Sequence, residues 1–143
     1  MLKSKVRKTL EHTIERAKAT QAPKAGKYRV IISDSYVSDV FSYYSGRAEA
    51  GYIYAGYSTF EVGQNVQALS AEGEFAEIKG DKVSMTLVPT EPLSNEGIWQ
   101  KERELLSDGV LKTFYGGLRF SRYLGIEPTG FFGCVNVTPG TMS

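Results

Sequence analysis

At 143 residues, 41% hydrophobic and 23% charged, the chain is sized for one domain with a real core, since about two-thirds of the unfolded surface can be buried at this length. A single cysteine excludes an internal disulfide, and no apolar run approaches the ~20 residues that a membrane-crossing helix requires. The net charge is +1 and the first residues lack a signal-type apolar region, so a cytoplasmic protein with no membrane partner is expected.

The charge is unevenly spread. Lys3, Lys5, Arg7, Lys8, Arg16, Lys18, Lys24, Lys27 and Arg29, nine of the seventeen basic residues, fall within the first 29 positions, where the acids are Glu11 and Glu15. Such a bias can mark nucleic-acid contact. A solvated helix face explains it more simply: Val6, Leu10, Ile14 and Ala17 recur at helical spacing with the charges around them, which predicts an amphipathic leading helix over residues 1–22. The breaker cluster at residues 22–26, with Pro23 and Gly26, separates it from a second segment, 23–143.

Within that segment, residues 27–32 alternate and enrich β-branched and aromatic types, predicting a strand. Asp34 or Ser35 can cap a following helix whose Val37, Val40, Phe41 and Tyr44 share a face. Residues 51–80 read only as mixed loop, short helix and at most one strand; Glu72, Glu74 and Glu77 there form a solvated edge rather than a site. Residues 82–88 alternate cleanly, and Pro89 ends their pairing. Leu105 and Leu106, then Ser107-Asp108-Gly109, then Val110 and Leu111 predict a hairpin with a short bulged loop, because Gly109 can take positive φ. Residues 117–125 predict a short helix ending on Gly125, a residue suited to a left-handed cap. The fold class is therefore α+β: a leading helix, then a mainly antiparallel sheet with packed helices.

Glu96-Gly97, Leu105, Leu106, Gly109, Val110, Leu111, Lys112, Gly125, Thr129 and Gly130 stand in an order that resembles the C-terminal domain of the TldD/TldE (PmbA) family, long regarded as proposed modulators of DNA gyrase. A second block, Gly56-x-Ser58-x-Phe60 followed by Gly63 and Val66, agrees with it, and the resemblance runs from about residue 24 to the end. It implies that residues 1–22 are an interdomain connector and 23–143 the first portion of that domain, as a piece of a longer protein.

TldD-type members are zinc peptidases marked by His-Glu-x-x-x-His on the helix after the domain's first strand, where two imidazoles bind metal and the glutamate acts as base. Laid on that pattern, this chain offers Ser42, Tyr43 and Arg47. A guanidinium has no lone pair to give a cation and repels it, and neither serine nor tyrosine replaces imidazole or carboxylate near neutral pH. No cofactor is expected in this chain; the resemblance places zinc in a TldD-like partner subunit. Elsewhere, His12 lies in the basic leading helix, and Cys134 is expected to be a buried small hydrophobe without a histidine partner. Tyr43, Tyr44, Tyr52, Tyr54 and Tyr57 cluster in sequence; Tyr52, Tyr54 and Tyr57 are candidate peptide or partner contacts, with core packing an equal alternative.

The expected function is thus a non-metal subunit or fragment of a zinc metallopeptidase complex that processes or degrades unfolded peptides, with a structural and substrate-holding role and catalysis of its own not expected. Its partner would be a TldD-like subunit or a second copy. The alternative is a nucleic-acid or gyrase-interacting module without peptidase activity.

Overall fold

The computed structural model describes residues 2–19, 21, 23–33, 35–69, 77–78 and 80–141. It divides into two units, Met1–Ile32 and Ser33–Ser143. In the first, α1 (Leu2–Ala17) buries no residue, and its stripe of Val6, Leu10 and Ile14 stays exposed. Arg7 Nε donates to Glu11 Oε1 at 3.2 Å, one turn away, a surface pair worth tenths of a kcal/mol. The strand expected over residues 27–32 does not form: the segment is exposed, with Ile31 95% accessible, and it joins no ladder. Alternation specifies a strand only where a neighbouring strand takes up its backbone groups, and none does so among the described residues.

The second unit opens with α2 (Ser35–Ala48) and the short α3 (Ala50–Tyr54). Asp34, a candidate cap for α2, lies outside the described residues. Phe41 and Tyr44 pack on the core and Ala48 is fully buried, while Val40, expected on the same face, is exposed. Glu49 caps α3, its Oε1 accepting from the Gly51 amide at 2.9 Å. Then follow β1 (Met85–Val88), β2 (Arg103–Ser107), β3 (Val110–Leu111), α4 (Leu118–Leu124) and β4 (Cys134–Val137). The strands form one antiparallel sheet in the order β3-β2-β1-β4. The architecture is the expected α+β layout. The long middle stretch contributes α3 and a loop that touches the sheet through an Asn65↔Val110 bridge; Glu72 and Glu74 lie outside the described residues, and Glu77 is exposed.

The hairpin differs from its expected form in one respect. Leu106 faces Leu111 and Ser107 faces Val110, so the loop is two residues, not a bulge, with Asp108 at φ 50° and Gly109 at φ 80°. Two successive positive φ values make the tight turn whose twist matches the flanking strands. The irregularity sits elsewhere: Met85 pairs with Leu106 but Thr86 with Glu104, which leaves Leu105 without a partner across β1. That slip allows two consecutive leucines, Leu105 and Leu106, to be fully buried together. With Met85, Leu87, Leu111, Val66, Phe60 and Ala48 they form the core.

Candidate functional site

Ser42, Tyr43 and Arg47 all lie on α2, so the positions matched to the metal signature do share one helix. Their chemistry is already committed to the fold. The Ser42 hydroxyl donates to the Asp39 carbonyl at 2.8 Å, within its own helix. The Tyr43 ring meets Tyr44 and Phe60 edge-on, at centroid distances of 5.4 and 6.1 Å. Arg47 lies over the Tyr43 ring, 5.4 Å from its centroid, and its Nη1 donates to the Tyr57 carbonyl. The residues present do not fit a divalent metal: Arg47, at the position that the resemblance matched to the second imidazole, is a cation that clamps the turn after α3. Among the described residues no cluster of three His, Cys, Asp or Glu side chains is placed to hold a metal ion.

The tyrosines separate into two places. Tyr52 and Tyr57 pair edge-to-face at 6.0 Å, next to the carbonyl that Arg47 holds. Tyr54 points to α4 instead, with its ring 5.5 Å from Phe120 and 5.2 Å from Tyr123. All three are exposed, whereas Tyr44 and Tyr115 are drawn inward. Burial, with Tyr43 adding to it, raises the Tyr44 phenol above its ordinary value. Burial also pushes Tyr115 up to about 12, the Glu49 carboxylate contributing second.

Cys134 is exposed, not buried. It starts β4, the end strand of the sheet, where alternate residues turn outward and Val135 and Val137 turn toward the core. A groove of about 540 Å³ runs between this strand and α2, lined on the helix side by Val37, Phe41 and Ser42 and on the strand side by Cys134, Val135 and Val137. No charged side chain lines it. Thus Ser42 and Cys134, 92 positions apart in the chain, border one cleft, a meeting that neither local sequence announced.

The residues that carry the family resemblance turn out to build the scaffold. Glu96 Oε2 accepts from the Leu118 amide at 2.9 Å and so caps α4 from a distant loop, replacing the side chain that Gly117 lacks; a β-carbon on Gly117 would run into that carboxylate. The Thr129 and Gly130 amides both donate to the Gly116 carbonyl at 3.0 Å, while Thr129 Oγ1 accepts from the Gly116 amide at 3.0 Å. His12 sits on exposed α1, outside this unit. No described helix is long and apolar enough to cross a membrane.

The family model for the PmbA/TldA metallopeptidase C-terminal domain matches residues 25–141. Among solved structures, a proposed modulator of DNA gyrase from Bacteroides thetaiotaomicron is 18% identical over 72% of this chain and 23% of its own, with a TM-score of 0.48. Another, from Thermotoga maritima, is 33% identical over 55% of this chain and 22% of its own, with a TM-score of 0.38. The chain therefore spans under a quarter of either protein's length. No curated protein matches it.

Proposed function

The chain belongs to the PmbA/TldA metallopeptidase C-terminal-domain family, and we propose that it works there as a metal-free subunit that holds extended peptide for a metal-bearing partner. One observation carries this: the helix positions matched to the zinc signature hold Ser42, Tyr43 and Arg47, each engaged in packing or hydrogen bonding. Bond cleavage then falls to a TldD-like subunit, and this chain supplies wall and grip in a cytoplasmic complex.

The open side of β4 suits that grip. β4 pairs on one side with β1 and, among the described residues, has no partner on the other. At the opposite end of the sheet, residues 63–66 cover β3: the Gly63 amide donates to the Leu111 carbonyl at 2.8 Å, and the Leu111 amide to the Gln64 carbonyl at 2.9 Å. An unfolded peptide laid along β4 would exchange backbone hydrogen bonds regardless of its sequence and drop alternate side chains into the uncharged groove.

Cys134, the chain's one cysteine, reports on that groove. In the assembled complex, a peptide that the complex hydrolyses is expected to slow alkylation of Cys134 by a maleimide. An unchanged rate at saturating peptide removes the groove from the proposal. Stoichiometric zinc on the purified full-length protein alone, with hydrolysis lost on chelation, removes the metal-free assignment. Duplex DNA binding with a steep salt dependence would favour the nucleic-acid alternative, to which the nine basic residues among the first 29 contribute the charge.

A further inference from the structure

Outside the groove, the surface where α3 meets α4 combines aromatic rings with positive charge that has no carboxylate partner among the described residues. Tyr54, Phe120 and Tyr123 form a continuous ring cluster, with centroid separations of 5.2, 5.5 and 6.4 Å. Arg119 lies over two of those rings, its guanidinium carbon 5.1 Å from the Phe120 centroid and 6.0 Å from that of Tyr123. Arg122 follows three residues later, on the neighbouring position of the same helix surface. Tyr54 and Tyr123 are 53% and 59% exposed, so this cluster is not part of the core. Neither arginine is ion-paired with a carboxylate among the described residues: Glu127 is taken by Arg103 at 3.1 Å, Glu49 accepts from the Gly51 amide, and Glu96 from the Leu118 amide.

We propose that this α3–α4 face is a docking surface for a partner protein that presents carboxylates set among aliphatic side chains. The charge complementarity is direct: two exposed guanidinium forks, neither matched by a carboxylate among the described residues, offer paired donors to carboxylates. Tyr123 and Arg119, stacked on one another, lose little side-chain entropy on binding, and both residue types are enriched among the energetic centres of protein interfaces. The same stacking disfavours single-stranded nucleic acid. Bases need open ring faces to stack on, and Arg119 covers Phe120 and Tyr123 while Tyr54 packs against both rings. The exposed tyrosines and guanidinium groups supply hydroxyl and N–H donors beside apolar ring surface, suited to carboxylates and aliphatic groups. This surface stands on its own residues and does not depend on the peptide-holding role of β4.

The test uses the whole chain and fluorescence anisotropy with three probes: a short peptide of glutamate and leucine, its lysine and leucine counterpart, and an oligothymidylate. The acidic peptide is expected to bind, and Arg122→Glu, which leaves the ring stack untouched, is expected to weaken it by about tenfold. Tyr123→Ala should weaken it as well, and Arg119→Glu combined with Arg122→Glu should transfer preference to the lysine peptide. Circular dichroism establishes that each variant is folded. The proposal is overturned by equal binding of the acidic and basic peptides, by acidic-peptide binding indifferent to Arg122→Glu, by absence of acidic-peptide binding, or by an oligothymidylate that binds tighter than the acidic peptide.

Discussion

Arg47 is tied into the fold at both ends of its guanidinium. It lies over Tyr43 and holds the Tyr57 carbonyl, linking α2 to the turn that follows α3. Arg47→Ala is expected to lower stability by about 1–2 kcal/mol, because a charged hydrogen bond is lost and a carbonyl is left to solvent. Ser42→Ala removes only a bond to its own helix and should change stability by less than about 0.5 kcal/mol. Chemical denaturation of the two variants checks both, and equal losses would contradict the clamp. Tyr115 makes a separate prediction. Its folded value of about 12 stands above the ordinary 10.0, so below pH 10 both folded and unfolded chains keep the proton. Between 10 and about 12 the unfolded chain ionises first, and stability falls as pH rises through that window. Tyr115→Phe is expected to flatten this part of the alkaline loss when the denaturation midpoint is followed against pH; an identical slope in the variant would count against the assignment.

At the scale of elements, the β2–β3 hairpin concentrates the most demanding geometry. Gly109 has φ 80°, and a β-carbon there would stand 2.8 Å from Gln67 Oε1 and 3.1 Å from Asn65 Oδ1. Its amide also donates to the Val83 carbonyl at 2.7 Å, and its carbonyl accepts from the Val66 amide at 2.9 Å. Gly109→Ala should therefore cost about 1–3 kcal/mol of stability, measured by thermal or chemical unfolding, with the clash adding to backbone strain. This hairpin was legible in the sequence, as were α2 and the cap at Gly125, because each depends on neighbours a few residues apart: Asp108 with Gly109, Phe41 with Tyr44, Leu124 with Gly125. Residues 27–32 misled for the complementary reason, since alternation describes a face and says nothing of a partner strand. The bulge opposite Met85, the exposure of Cys134 and the bond from Arg47 to Tyr57 escaped notice too. Each is decided by contacts made across the fold, where Glu96 meets Leu118 and Ser42 meets Cys134 over a cleft. The motif residues Glu96, Thr129 and Gly130 were found by their wording, and only their hydrogen bonds reveal that they brace the scaffold.

For the molecule as a whole, the unit spanning Ser33–Ser143 keeps its core apart from the two surfaces proposed for contact. The core draws on α2 through Ala48, on β1, β2 and β3, and on the loop carrying Phe60 and Val66. The surfaces proposed for contact with other molecules are peripheral: the β4 edge beside α2, and the ring-and-arginine face of α3 and α4. Since residues 63–66 already occupy the flank of β3, β4 is the open edge of this sheet among the described residues. A one-ended template behaves unlike a two-ended one: a foreign peptide on β4 would offer its own outer edge, whereas a twin of the same chain would bring a covered β3 to the far side. Pairing between copies would close on itself as a couple, with no free flank from which a fibre could lengthen.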